Sequence, residues 1–179
     1  AIKNVTLVGH SKMKSGIVCY GNGTNVTLQN ITAQNCGNCG VQVAGATVSA
    51  TNLTTSGNAW GGVNIDKGSD GSAPHFTVGE GCVFAEKAEV YTEITDQDVV
   101  TAPAMTKVQG FGTTLKGFIY YTTDATKLEC VATIGTDKYC ETVADAVANA
   151  VSGDEIKLLK NITVDNAAVS SSVNTPVIV

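Results

Sequence analysis

The segment Asn25–Gly45, NVTLQNITAQNCGNCGVQVAG, decides the fold, because near copies of it lie on both sides. Downstream, Ala46–Ile65 reads ATVSATNLTTSGNAWGGVNI. Setting Val26 against Val48 brings Leu28 to Ala50, Ile31 to Leu53, Val41 to Val63 and Val43 to Ile65, a constant shift of 22 residues with no gap. Upstream, Asn4–Gly21 (NVTLVGHSKMKSGIVCYG) matches at a shift of 21 through Val5 and Leu7, and a short gap then brings GIVCYG onto GVQVAG. Units of about 20–25 residues cannot bury their apolar faces alone and must stack on one another.

Inside each unit the apolar residues alternate at period two: Val5 and Leu7, Ile17 and Cys19, Val26 and Leu28, Val41 and Val43, Val63 and Ile65. Gly, Asn and Ser fill the gaps, which is the pattern of short strands joined by turns. No helical stretch long enough for a crossover separates them, so a βαβ sheet is excluded. The remaining solution is a parallel β-helix, each strand pairing with its equivalent one turn away at about 4.8 Å. Cys19, Val43 and Ile65 are expected to form one internal ladder, and Ile31 and Leu53 another. The polar stretch Asp66–His75 reads as a loop between turns, and Phe76–Ile94 as a fourth, degraded turn. The fold class is therefore all-β, with residues 1–94 as closing turns of a β-helix and residues 95–127 as a cap or linker. Within the latter, GFIYYTT (Gly117–Thr123) reads as a strand that buries one of Tyr120 and Tyr121.

The last part, 128–179, differs in kind. Leu128–Gly135 and Lys138–Cys140 flank a turn and read as a hairpin; a loop centred on Gly135 would set Cys130 opposite Cys140. TVADAVANAVSG follows, with Thr142 as N-cap, Asp145 three residues on, Val143, Val147 and Val151 spaced by four, and Gly153 as stop. DEIKLLKNITV then returns to strand, and the chain ends on the apolar run VNTPVIV.

Val131–Val164, VATIGTDKYCETVADAVANAVSGDEIKLLKNITV, resembles the opening of right-handed β-helix domains in large repetitive surface proteins of gut Firmicutes. The resemblance covers about thirty-four residues and implies a hairpin, a helix that caps the open end of a solenoid, and the strand of a first rung. Cys140 and Glu141 depart from the family's small and neutral residues there. Asn4–Ile94 resembles the pectate-lyase-like repeats of the same family more loosely. The whole then reads as the end of one β-helix and the start of a second, cut from a tandem array.

Composition limits what such a scaffold does. Eleven basic residues, all lysine, face sixteen carboxylates, a formal charge of −5 in 179 residues that are 43% hydrophobic. That balance argues against nucleic acid, whose binding needs basic patches. No run of eighteen apolar residues suggests membrane insertion. The absence of arginine, two unrelated histidines (His10 and His75) and an Asn4–Ile65 stretch without any carboxylate argue against the paired acids of polysaccharide hydrolysis.

Several residues stand out as candidate sites. Asp66 and Asp70, in DKGSDGS, offer oxygens but no calcium-loop spacing, and a solvated turn is the simpler reading. Cys36 and Cys39 have C-x-x-C spacing without the second ligand pair zinc needs, so a structural turn, a disulfide or free thiols are favoured over metal. Cys130 with Cys140 is the second candidate disulfide. Trp60, beside Asn58, is either an exposed anchor for a protein or sugar or a cap over the Asp66–His75 loop. Six Asn-x-Thr triplets, at Asn4, Asn22, Asn25, Asn30, Asn52 and Asn161, are glycosylation acceptors in form, yet Asn and Thr are equally the residues of β-turns and strands.

The expected function is that of a non-catalytic module of a secreted or cell-wall-associated bacterial protein, adhesin-like, needing no cofactor or metal. Trp60, Asn58, Asp66 and Asp70 are its candidate binding residues, and a host glycoprotein such as mucin or immunoglobulin is the partner class the resemblance implies. A polysaccharide-active enzyme and a phage-fibre segment are the competing classes. Open β-helix ends make self-association a further expectation.

Overall fold

A computed structural model describes residues 1–10, 14–161 and 177–178. Its strands, in chain order, are β1 (Ile2–Val8), β2 (Ile17–Tyr20), β3 (Asn25–Gln34), β4 (Cys39–Ala44), β5 (Thr47–Ser56), β6 (Gly61–Asp66), β7 (His75–Val78), β8 (Val83–Phe84), β9 (Val90–Thr92), β10 (Val100–Thr101), β11 (Thr106–Phe111), β12 (Ile119–Thr122), β13 (Ala132–Ile134), β14 (Lys138–Cys140), β15 (Glu155–Leu158) and β16 (Val177–Ile178). The one helix among the described residues longer than a single turn is α1 (Val143–Asn149). By internal contacts the chain forms two units, Ala1–Thr106 with Tyr120–Thr123, and Lys107–Ile119 with Asp124–Val179.

The first unit is a parallel β-solenoid of about four turns. One sheet runs β1-β3-β5-β7-β10, with β8 also on β5; in the other, β2, β4, β6 and β9 follow one another. The 22-residue shift is the observed register: Val26 pairs with Val48, Leu28 with Ala50, Ile31 with Leu53, Val41 with Val63 and Val43 with Ile65. Both expected ladders form, and each continues one step further, Cys19 through Val43 and Ile65 to Thr92, and Val5 through Ile31 to Leu53. Leu28, Ile31, Val41, Val43, Leu53, Val63 and Ile65 are buried. Apolar area removed from water at about 25 cal/mol per Å² holds the stack together.

The first turn corrects the sequence reading. Val5 pairs with Ile31 and Leu7 with Ala33, a shift of 26 rather than 21, while Ile17 pairs with Val41 at 24. The reason is a corner. Asn4, Asn30 and Asn52 all adopt left-handed backbone (φ 56°, 54° and 50°), and their amides chain from turn to turn. Asn30 Nδ2 donates to Asn4 Oδ1 at 2.8 Å, and Asn52 Nδ2 to Asn30 Oδ1 at 2.9 Å. Asparagine is the non-glycine residue best suited to this conformation. Three of the six Asn-x-Thr triplets are therefore corner signatures.

A second corner is polar inside. Cys36 N–H donates to Asn58 Oδ1 at 2.9 Å; Asn58 Nδ2 donates to Ala33 C=O at 3.0 Å and to Glu86 Oε1 at 2.6 Å; Thr55 Oγ1 donates to Glu86 Oε2 at 2.6 Å. Asn58 and Glu86 are buried. Bends that break the strand ladder leave N–H groups without a main-chain acceptor, and these side chains supply one. In the last turn Thr123 donates through its N–H and its hydroxyl to buried Glu89, at 2.8 and 2.7 Å. Tyr120 and Tyr121 are both buried, which corrects the expectation of one; Tyr120 stacks on Tyr91 at 6.1 Å between ring centroids.

In the second unit β11 pairs in parallel with β14, and β13 lies antiparallel between β14 and β15. The expected hairpin is present, but Ala132, not Cys130, stands opposite Cys140, so its loop is centred one residue later than the sequence suggested. Thr142 and Asp145 form a full capping box on α1. The helix ends at Asn149; Val143 and Ala146 are its buried residues, and Val151 lies beyond it, exposed. The valine spacing of four thus overextends the helix by a turn. β15 pairs in parallel with β16, Ile156 with Ile178, again a shift of 22 residues. The remainder of the expected first rung, within 162–176, lies outside the described residues.

Candidate functional site

Alternation on β2, β4, β6 and β9 sends one set of side chains inward and the other onto an outer face. Two outward columns follow from the register: Val18, Gln42, Asn64 and Tyr91, and beside it Tyr20, Ala44 and Asp66. Val18 and Tyr20 are exposed, Asn64 and Tyr91 buried. Gln42 ties the face together, donating from Nε2 to Asp66 Oδ2 at 3.3 Å and accepting at Oε1 from Ser15 Oγ at 3.4 Å. Ser15 Oγ also lies 3.3 Å from Cys39 Sγ.

Partial burial pushes the Asp66 carboxyl above the ordinary carboxylate range, against the hydrogen bonds from Gln42 and Asn64 that pull it down. Burial likewise raises the Tyr91 phenol, helped by Cys39 and Asp66. Asp66, Lys67, Glu93, Ile94, Thr95 and Asp96 line an open depression of about 450 Å³. Glu93 follows Thr92, the residue paired with Ile65, so Asp66 and Glu93 fall on neighbouring turns. Lys67 and Asp96 approach to 4.0 Å as an exposed pair.

The loop after β6 folds back over the preceding turns. Ser72 Oγ donates to Gly45 C=O at 3.4 Å, and Ser69 hydrogen-bonds the Tyr20 hydroxyl. Exposed Asp70 bonds within its own loop, accepting the Ser72 N–H at 3.0 Å, and its hydrogen bonding with Ser72 lowers its pKa.

The four residues singled out in the sequence do not converge. Asn58 is spent inside its corner. Trp60, 60% exposed, precedes β6, whereas Asp66 ends it, roughly 20 Å away along the strand. Ser72 and Ser69 of the Asp66–His75 loop bond Gly45 and Tyr20, at the end of β6 away from Trp60. Tyr20, Gln42 and Glu93 escaped the sequence reading; the outward parity of Val18 and Tyr20 beside inward Ile17 and Cys19 was the available signal.

All six cysteines are free thiols. Cys36 sits buried at the corner and Cys39 opens β4, each raised in pKa chiefly by burial. Burial also pushes Cys130 up to about 11 and Cys140 up to about 12. Among the described residues no three His, Cys, Asp or Glu side chains are grouped to hold a metal ion, and no helix is long and apolar enough to cross a membrane. No protein-family model, no curated protein and no solved structure matches the chain.

Proposed function

We propose that this chain is a binding module of a secreted or cell-wall-associated bacterial surface protein, and that it holds a host or neighbouring macromolecule without transforming it. The observation that carries the reading is the pair of exposed aromatic side chains, Tyr20 and Trp60, near opposite ends of the strands of one rigid sheet. Aromatic rings with a polar edge are favoured anchors for proteins and sugars. Their separation of roughly 20 Å or more, from strand rise, calls for a partner long enough to span them. Before Asp66 the outward positions between them carry no carboxylate, and Gln42 sets an amide among them, chemistry suited to the glycan of a glycoprotein such as mucin or immunoglobulin. The resemblance of 131–164 to repetitive surface proteins of gut Firmicutes supports the location. Immobilised mucin and immunoglobulin titrated with the chain test the reading: saturable binding supports it, and silence up to tens of micromolar leaves a stalk that only spaces other modules.

One observation favours a second reading. Asp66 and Glu93 lie on neighbouring turns beside an open depression, with Asp66 held toward its protonated form. Glycoside hydrolysis needs two carboxyls placed about the scissile bond. Release of reducing sugar from a polysaccharide panel, abolished by Glu93→Gln, would establish it in place of the first.

A further inference from the structure

The turn between β2 and β3 holds the one Asn-Gly dipeptide of the chain, Asn22-Gly23. The Thr24 N–H closes the turn on the Gly21 carbonyl at 3.2 Å, which puts Asn22 and Gly23 at its two central positions. Gly23 has φ +75°, the left-handed value of the second central residue of a type II turn. Both residues are exposed, and a Cβ at Gly23 would meet nothing within 4 Å. Among the described residues, neither the Asn22 side chain nor the Gly23 N–H has a hydrogen-bond partner. The other asparagines of the solenoid corners are held differently: Asn30 and Asn52 are tied into the amide ladder and followed by Ile31 and Leu53, and Asn58 is buried.

We infer that Asn22 is a site of spontaneous covalent modification, converted by water to aspartate and isoaspartate. The Gly23 nitrogen gives up its proton to solvent base and its lone pair attacks Asn22 Cγ. A carbon–nitrogen bond forms, the Cγ–Nδ2 bond breaks, and Nδ2 leaves as ammonia with protons from solvent. The resulting five-membered imide then takes up water at either carbonyl. Opening at one side gives aspartate; opening at the other routes the main chain through the side chain. The net reaction consumes one water and releases one ammonia, with no oxidant or metal. It is fastest where the following residue has no side chain to hinder the attack and its backbone rotates freely, both of which Gly23 supplies.

The change places a carboxylate two residues from Tyr20, and the isoaspartate form adds a methylene to the main chain of a tight turn, opening the Thr24 to Gly21 closure. It does not depend on the binding reading. The test is incubation of the folded chain in mildly alkaline and mildly acidic buffer, followed by peptide mass mapping. The expected result is conversion at Asn22 before any other asparagine, as two products, faster in the alkaline buffer, and suppressed in Gly23→Asn, whose residue tolerates the left-handed backbone but hinders attack. An Asn22 that stays intact while other asparagines convert, or that converts equally fast in Gly23→Asn, overturns the inference.

Discussion

Asn58 and Glu86 meet inside a corner of the solenoid, Asn58 Nδ2 donating to Glu86 Oε1 at 2.6 Å while Asn58 Oδ1 accepts the Cys36 N–H at 2.9 Å. One side chain thus joins three successive turns. Asn58→Ala leaves a buried N–H and part of a buried carboxylate without partners, each costing about 1–3 kcal/mol. Urea unfolding should show a loss of about 2–4 kcal/mol, and Asn58→Asp, which sets a second carboxyl against Glu86, should lose at least as much at neutral pH.

The asparagine ladder makes a separable prediction. Asn30→Ala forfeits both amide bonds and forces an ordinary side chain into left-handed backbone, a conformation costing about 1–2 kcal/mol. Asn30→Gly keeps the backbone relaxed and should be the milder of the two. Thermal melts of the pair check the order; Asn25→Ala, on an extended residue of the same N-V-T type, should move the midpoint little.

That contrast shows what was legible in the sequence. Asn4–Leu7 and Asn25–Leu28 are the same tetrapeptide, NVTL, and matching them gave the wrong shift for the first turn. Conformation, not identity, sets the register: Asn4 shares left-handed backbone with Asn30 and Asn52, whereas Asn25 is in strand. The second and third turns carry no gap, so the constant 22-residue shift fixed the register from Val26 through Ile65. The capping box was equally plain, because Thr142 and Asp145 interact locally. The candidate site was less so, since Asp66 and Glu93 become neighbours only once the Asp66–His75 loop is closed, and Asn58, an exposed-looking turn residue, is buried by contacts 22 and 28 residues away.

Close approach inside the same corner limits Gly40. An added Cβ would lie 2.9 Å from Asn58 Nδ2, 2.9 Å from Thr55 Cγ2 and 3.0 Å from the Gly62 oxygen. Gly40→Ala should therefore destabilise by about 1–3 kcal/mol, as overpacking does. A variant as stable as the parent in urea would show that the turns can part here.

Asp66 sets a pH dependence. Its pKa is raised by burial in the folded chain, so its contribution to stability is complete below the ordinary carboxylate range and is lost as pH rises through the folded value. Partial solvent access keeps the effect under about 1 kcal/mol. Asp66→Asn, whose carbonyl still accepts from Gln42, should remove this segment of the stability–pH curve and leave the rest unchanged.

Burial also governs the thiols. Cys130 and Cys140, at about 11 and 12, carry almost no thiolate at neutral pH. A thiol reagent should modify the half-buried Cys82 first and reach these two only after denaturation; rapid native labelling of either would contradict the packing of the second unit.

The most direct test of the central claim, a rigid solenoid that binds through spaced aromatic anchors, is a titration of immobilised mucin with the chain and with the Tyr20→Ala, Trp60→Ala double variant. Both side chains are largely exposed, so the variant should melt like the parent. The account predicts saturable binding by the parent and at least a tenfold loss, about 1.4 kcal/mol, in the variant. Equal binding by the two proteins, or sugar release from the mucin, would contradict it.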